Sequence, residues 1–499
     1  MDLLFELPLD STGASPRNMA RWLGDQLKSA VLDGRLRPGT KLPPTRESQA
    51  FFGVSRNTAA EVYERLVNAG YLVTRRGSGT YVAESLPHAA PANISHRDSV
   101  PFYRMNEFWT RPDITASMDF WRETTDLKLK KGGGAAIDFR PALVDSRLFP
   151  FDVFRRVMSQ QLRKLENKPA SFKSPQGNQG NYFLRQAITD HIGLTRVVVC
   201  DEDDVVVTSG AQQAFDLLAR ILVTANQTVV ALEDPGYPPL RVAFAAAGAK
   251  LVPVPVDDEG LVVDRIPPDA KIICISPSHQ FPTGVTMSAR RRKELISFAR
   301  NCGAVIIEDD YDGEFRYEGG ALEALRTADA ADVVFYVGTF SKCMLPALRL
   351  GFIVTPRWAR RTLVSAKNCL DWHCPIPIQI GVAGFISEGH LARHVRRLRQ
   401  SYRQRRQLLL QHLEEDLGPW LEPIPSYYGL HVSAIARDTR DLEAVAATLE
   451  RKHIKIHTFS RYYLGPPTGS GLVFGYGAVS PDQVTKGLSA LRSALATKA

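Results

Sequence analysis

Apolar residues between Arg17 and Leu36 recur at helical spacing (Trp22, Leu23, Leu27, Ala30, Val31) and stop at Gly34 and Pro38-Gly39, which predicts one amphipathic helix. A short second helix fits Thr45 to Phe52. In GVSRNTAAEVYERLVNAGYL, Gly53 turns the chain, Ser55 is placed to cap a third helix, and Ala59, Val62 and Leu66 give that helix an apolar face. Two helices joined through a tight glycine turn make a helix-turn-helix pattern. The next stretch, YLVTRRGSGTYVA, has two apolar runs around Arg75-Arg76-Gly77-Ser78-Gly79, which predicts a β-hairpin with a basic tip, a wing.

From about Glu84 to Ala136 no period persists: Pro87, Pro91, Pro101 and Pro112 punctuate it and KLKKGGG, Lys128 to Gly134, closes it. This reads as a linker over 86–136, with a short helix near Met118 to Leu127. Its aromatics, Phe102, Tyr103, Phe108, Trp109, Phe120 and Trp121, are too many for a free coil and predict that part of it docks on a neighbouring surface. Beyond Ile137, continuous Val/Ile runs (VVVTSG, TVVALEDPG, KIICISPS, AVIIEDD, VVFYVGTFSK, LGFIVTP) alternate with helical stretches. That pattern predicts an α/β domain with a mainly parallel sheet buried on both faces, its functional residues at the strand ends. From about Gln379 to Ala499 helices and short strands mix, as in a smaller α+β lobe. The expected organisation is a DNA-reading domain over 1–85, the linker, and a large domain over 137–499.

With 499 residues the chain is too long for one ordinary core, in keeping with that division. Lys and Arg exceed Asp and Glu by 62 to 53, an excess that permits nucleic-acid binding and that a solvated basic surface also explains. Six dispersed cysteines without C-x-x-C spacing predict a reduced compartment and no metal site. MDLLFELPLD is acidic and too short in apolar residues for a signal peptide, and no run of about 18 apolar residues occurs, so a soluble cytoplasmic protein is expected.

Candidate chemistry centres on GTFSKCMLPALRLG. Lysines are mostly solvated surface charges, but Lys342 has the hydroxyls of Thr339 and Ser341 beside it and Arg349 seven residues on, suited to a phosphate. TSGAQQAF, from Thr208, ends a strand and opens a helix, and backbone N–H groups at a helix N-terminus bind anions. In VIIEDDYDGEFRY an apolar strand ends in Asp309-Asp310-Tyr311. A carboxylate there is costly unless it meets a cation, which a protonated pyridine ring would supply; a metal or an exposed loop are the alternatives for the acids alone.

These phrases carry a resemblance. The region from about Ile137 onward resembles the fold-type-I aminotransferase domain of pyridoxal-phosphate enzymes, and the first 85 residues resemble the winged helix-turn-helix of GntR regulators. With EDPGYP, PSHQFPTG, EDDYDGEFRY and GTFSK all present, the chain is identified as resembling the MocR subfamily of bacterial transcription regulators. The resemblance implies pyridoxal 5'-phosphate as cofactor, held by Lys342 as a Schiff base. Asp309 is implied on the pyridine nitrogen, Tyr311 on the phenolic oxygen and Tyr237 stacked on the ring, with Gly210, Ala211, Gln212, Thr339, Ser341 and Arg349 on the phosphate. Three departures stand out. Phe281 replaces an asparagine before Pro-Thr-Gly, and Phe172 a tyrosine that reaches the phosphate. Gly471, in GLVFGYG, falls where an arginine clamps the substrate carboxylate, and Arg461 and Arg241 are the substitutes to weigh.

For DNA the resemblance implies contacts by Arg46, Ser55, Arg56, Asn57 and Thr58, and by Arg75, Arg76 and Gly79 of the wing. Residues 1–85 hold 11 Lys/Arg against 9 acids, so one such domain binds weakly and a dimer on two half-sites of double-stranded DNA is expected, head-to-tail as in the family. A further run of seven arginines between His390 and Gln407 reads as a solvated helix, with a track for wrapped DNA as the alternative; His279 and His373 read as packing residues or as residues that support a neighbour in the site, and Cys343 as small filler. The expected function is a regulator that senses pyridoxal phosphate or its adduct with an amino compound, controlling vitamin B6 or amino-acid metabolism genes. The missing arginine favours the cofactor itself. The alternatives are an active aminotransferase with a fused DNA-binding module, or a DNA-binding protein whose large domain is only a scaffold.

Overall fold

The computed structural model describes residues 19–85, 106–125, 137–167, 177–318 and 323–496. Phe102, Tyr103, Phe172, the 128–134 stretch and the side chains of Phe120 and Trp121 lie outside the described residues. The chain divides into two compact units between Met105 and Asn106.

In the first unit α1 (Met19–Leu32), α2 (Ser48–Phe52) and α3 (Arg56–Asn68) precede the antiparallel hairpin β1 (Leu72–Arg75) and β2 (Gly79–Val82). The helical spacing read from the sequence is the packing spacing: Leu23, Leu27, Ala30 and Val31 of α1 share one core with Ala59, Val62 and Leu66 of α3 and with Leu72 and Val82 of the hairpin. Gly53 supplies the left-handed turn after α2 (φ 66°), a conformation cheap only for glycine. Ser55 caps α3, its hydroxyl accepting from the Thr58 N–H at 3.2 Å.

The second unit opens with α4 (Pro112–Thr125), which starts earlier than expected because proline suits the first turn of a helix, where its missing N–H costs nothing. It packs on α8, introduced below, through buried Ile114; Trp109, expected to dock, is half exposed. Then follow β3 (Ile137–Asp138), α5 (Phe151–Asn167), α6 (Tyr182–Arg196), β4 (Val205–Thr208), α7 (Ala211–Leu222), β5 (Val229–Asp234), α8 (Pro238–Ala246), β6 (Lys250–Asp257), β7 (Gly260–Leu261), β8 (Ala270–Ile275), α9 (Ala289–Cys302), β9 (Val305–Asp310), β10 (Val334–Thr339) and β11 (Gly351–Val354). The main sheet has the order β4-β11-β10-β9-β8-β5-β6-β7. Every Val/Ile run named above is one of its strands. Five consecutive strands, β10-β9-β8-β5-β6, are parallel, and β11 is antiparallel to both β10 and β4. Helices cover both faces, as two separate buried clusters against opposite sides of the strands require.

α10 (Arg360–Asp371), α11 (Ile376–Ser387) and α12 (His390–Glu415) lead into the smaller lobe. There β12 (Leu421–Pro423), β13 (His431–Ala436), α13 (Leu442–Arg451), β14 (Ile454–Lys455), β15 (His457–Thr458), β16 (Gly471–Gly475) and α14 (Pro481–Ala496) form an antiparallel sheet of order β12-β13-β16-β15 with flanking helices. β3 pairs in parallel with β14, so the start of the large domain is stitched to this lobe, 317 residues away in sequence at Ile137 and Ile454. No helix among the described residues is long and apolar enough to cross a membrane.

Candidate cofactor site

The antiparallel strand decides where the site forms. In parallel strands the carboxyl ends lie on one edge, and β9 and β10 deliver Asp309 and Thr339 there, with Lys342 three residues further on. Because β11 runs the other way between β10 and β4, its start lies at that same edge, with Gly351 opposite both Thr339 and Thr208. Arg349, two residues before β11, therefore meets the N-terminus of α7, which follows β4. Arg349 itself takes the left-handed conformation (φ 48°), and its Nη2 donates to the Ser209 carbonyl at 3.1 Å. Gly210 caps α7 with φ 78°, and a Cβ on it would stand 2.8 Å from that guanidinium nitrogen. Glycine is what lets the arginine close over the helix end.

The three consecutive acids of β9 have different fates, as the alternation of a strand requires. Glu308 is buried and accepts the backbone N–H groups of Leu325 (2.7 Å) and Arg326 (2.9 Å). Asp310 accepts from Arg196 and from the Tyr336 hydroxyl, both at 2.6 Å. Asp309 faces the other way, into a cavity of about 660 Å³, and its Oδ1 is buried without a hydrogen-bond partner among the described residues. Burial first, then the neighbouring Asp310 and Asp312, push its carboxyl up to about 8. Lys342 shares the cavity and donates from Nζ to the Ala142 carbonyl at 2.6 Å. Burial brings its ammonium down to about 8, against the pull of Asp312 and Asp309.

Of the expected site residues, Ala211, Gln212, Tyr237, Asp309, Tyr311, Thr339, Ser341, Lys342 and Arg349 line this one cavity, and Gly210 stands behind Arg349. Thr339 donates to the Ser341 hydroxyl at 3.0 Å, and Gln212 holds the Pro239 carbonyl at 3.0 Å. Tyr237 meets Phe281 edge to face with centroids 5.8 Å apart. Phe281 belongs to a buried cluster with Phe459, Tyr462 and Val473, against which Tyr237 and Tyr311 pack. An apolar wall therefore replaces the amide expected before Pro-Thr-Gly.

Gly471 is not among the lining residues. A Cβ there would lie 2.6 Å from the Ala434 carbonyl oxygen and 3.0 Å from the Phe459 ring, leaving no space for an arginine. The residue of β16 in the apolar wall is Val473, two positions further along the strand. Neither substitute reaches the cavity: Arg241 is buried on the Gly236 and Tyr462 carbonyls, and Arg461 lines a separate cleft with Arg140, Glu443 and Glu450. Among the described residues, Lys342 and Arg349 are the cations of the cavity wall. Met118 of α4 and Ala142, a non-glycine residue at φ 66°, also line it; no sequence signal marks them. Tyr311 sits against His279, its hydroxyl 3.0 Å from both the carbonyl oxygen and Nδ1. His279 was visible in PSHQFPTG, where it reads as a packing residue or as support for a neighbour in the site.

In the first unit the expected DNA residues lie at the cap and first turn of α3, in the 3-10 turn Thr45–Glu47 that precedes α2, and on the hairpin. Arg56, Asn57 and Arg76 are exposed, while Arg46 pairs with Glu47 at 3.3 Å and Arg75 with Glu84 at 3.0 Å, both in solvent. Thr58 shares a hydrogen bond with Ser55 at 2.9 Å, and Gly79 (φ 121°) closes the turn against Lys41. The seven-arginine run lies on α12, and it is more than a solvated face: Arg405 is buried against Asp145 at 2.8 Å, and Arg406 is buried on the Ser426 carbonyl.

A mainly parallel sheet with β11 reversed inside it, which gathers an acid, a lysine and an arginine-covered helix end, is the aminotransferase fold of type I, a fold whose members bind pyridoxal phosphate. Residues 145–491 match the family Aminotransferase class I and II, and residues 20–82 match Bacterial regulatory proteins, gntR family. The chain belongs to the MocR-type regulators, which join these two domains. It is 32% identical over 479 residues to the probable rhizopine catabolism regulatory protein MocR of Rhizobium meliloti, covering 95% of this chain and 93% of that one. It is 30% identical over 483 residues to the pyridoxine biosynthesis transcriptional regulator PdxR of Corynebacterium glutamicum, with 96% of each covered. Among solved structures, kynurenine aminotransferase of Pyrococcus horikoshii superposes with a TM-score of 0.68 at 25% identity, over 75% of this chain and 93% of that chain.

Proposed function

We propose that this protein is a cytoplasmic transcription regulator that binds an operator through its winged helix and captures pyridoxal 5'-phosphate at Lys342 as its signal. The observation that carries the reading is the pairing of a buried, partnerless Asp309 Oδ1 with Lys342 in one cavity whose other cation, Arg349, covers a helix N-terminus. A protonated ring nitrogen answers the orphan oxygen, and a phosphate answers the helix end and the guanidinium. The donor set therefore fits the cofactor, which when bound supplies an electrophilic carbonyl carbon and an electron-withdrawing ring. Lys342 would hold the carbonyl carbon through its amine, whose neutral form burial favours; Asp309 would hold the protonated ring nitrogen; Tyr237 and Phe281 would exclude water from the ring's edge.

With Arg349 taken by phosphate, no guanidinium of the wall remains for an α-carboxylate among the described residues. This supports the cofactor itself, in preference to an amino acid, as the effector, and the name of the PdxR relative agrees. The regulator acts as a head-to-tail homodimer, so that two winged helices reach two half-sites. The test is borohydride reduction of the cofactor-loaded protein with peptide mapping, beside gel-shift binding to DNA upstream of its own gene. Label on Lys342 and a specific shift support the reading. Label elsewhere refutes the assignment of Lys342, and sustained turnover of amino acids and oxoacids without specific DNA binding makes the protein an aminotransferase instead.

A further inference from the structure

Below Tyr311 lies a buried polar chain that the roles given so far do not use. The Tyr311 hydroxyl donates to the His279 carbonyl, and the His279 ring nitrogen Nδ1, 3.0 Å from the same hydroxyl, is also 2.9 Å from Asp312 Oδ2. His279 and Asp312 are each 2% exposed, in a place where an unpaired polar group is costly, so their mutual bond fixes both side chains. The smaller lobe closes directly over them. Gly429 (φ 82°) passes so near that a Cβ would fall 2.6 Å from Asp312 Oδ2 and into the His279 ring. Its carbonyl is held by the hydroxyls of Tyr317 (3.0 Å) and Tyr476 (2.6 Å), and the His431 ring of β13 lies 4.4 Å from that of His279.

We propose that His279, held by Asp312, is a positioning residue: it aims the Tyr311 hydroxyl at the cofactor's phenolic side and ties that aim to the placement of the smaller lobe. The inference rests on the cofactor reading above. The chain Tyr311–His279–Asp312 touches the cavity at one end and the Gly429–His431 segment at the other, so a change at either end is felt by the same hydroxyl. The ionisable groups facing His279 are Tyr311, Asp312, His431 and Arg406; those facing Tyr311 from β5 and β9 are Glu233, Asp309 and Asp310. Burial favours the neutral imidazole, consistent with a group that orients without carrying charge.

The experiment is a pH titration of the visible absorption of bound pyridoxal phosphate in the full chain, for wild type, Tyr311→Phe, His279→Gln and the double variant, with Asp312→Asn as a second route should His279→Gln not fold. Tyr311→Phe is expected to move the midpoint by about one pH unit, and His279→Gln or Asp312→Asn to move it the same way by at least about half of that. The double variant is expected to move no further than Tyr311→Phe alone, because the histidine acts through the tyrosine. An unmoved midpoint in His279→Gln or Asp312→Asn, or full additivity in the double variant, overturns the proposal. If wild type gains no absorption that Lys342→Ala lacks, the cofactor reading itself fails, and this inference with it.

Discussion

The two units handle charge in opposite ways. On the winged helix, Arg56 and Arg76 stand in water, and the pairs Arg46–Glu47 and Arg75–Glu84 are exposed at both ends. Such pairs contribute little to stability and part readily for a polyanion. In the aminotransferase-like unit Glu233, Glu308, Asp309, Asp310 and Asp312 are all buried, and most are answered individually by a backbone N–H, a guanidinium or a histidine. Solvated charge serves a long ligand of one sign and tolerates substitution. Buried charge serves one small ligand of fixed geometry, and each group matters to the protein even before the ligand arrives.

The sharpest way to break this contrast is Lys342→Ala, expected to abolish borohydride-stable labelling altogether, as mass spectrometry would show. In wild type the labelling rate should rise with pH through about 8, since the attacking form is the neutral amine. At pH 7.5 about a quarter of Lys342 is then neutral, against about one part in a thousand for an ordinary lysine.

Next in size is Asp309→Asn. It should weaken pyridoxal-phosphate binding about 10- to 100-fold in an absorbance titration, because a charge-assisted hydrogen bond is lost. In the cofactor-free protein the sign reverses. A carboxyl raised to about 8 when folded keeps a proton that the unfolded chain gives up near 3.8, so wild-type stability should fall as pH rises from about 4 to 8. Asp309→Asn should flatten that part of the melting-temperature profile; an unchanged slope would mean the acid is not buried as described.

Gly210→Ala should cost about tenfold in cofactor affinity, by forcing Arg349 off the helix end and straining a residue at φ 78°, with DNA affinity measured alongside. The smallest effect is expected on the solvated side. Arg56→Ala should weaken DNA binding by about 1 kcal/mol, roughly fivefold, or flatten its salt dependence by about one unit if the contact is to phosphate, with cofactor affinity unchanged. A loss of cofactor affinity in Arg56→Ala would erase the distinction between the units.

How much of this was legible in the sequence follows the same divide. The winged helix is built from contacts close in sequence, so periodicity, Gly53 and the Ser55 cap were enough to read it. The strand runs of the large domain were also plain, because strands buried on both faces are continuously apolar. Which strand runs backwards is not written in β11 itself, and Arg349 reaches the Gly210 helix end only because it does. The family resemblance singled out Asp309, but the physical reason, Arg196 claiming Asp310 from 114 residues away, is not local. Val473, Ala142 and the pairing of β3 with β14 depend on long-range register, which leaves no local trace, and so does the tight packing of β16 at Gly471. Whether His279 only packs or supports a site residue stayed open in the sequence because its partners, Asp312 and Gly429, come from distant loops.

If Lys342 is the sensing group, capture there and operator binding are coupled, and linkage makes the coupling measurable from either side. The most direct measurement is to titrate pyridoxal phosphate, followed by its visible absorption, into the protein alone and into the protein saturated with its operator at fixed salt. The account predicts affinities that differ by about fivefold or more, with the operator's own affinity changed by the same factor when the cofactor is present. Equal affinities with and without operator would contradict it.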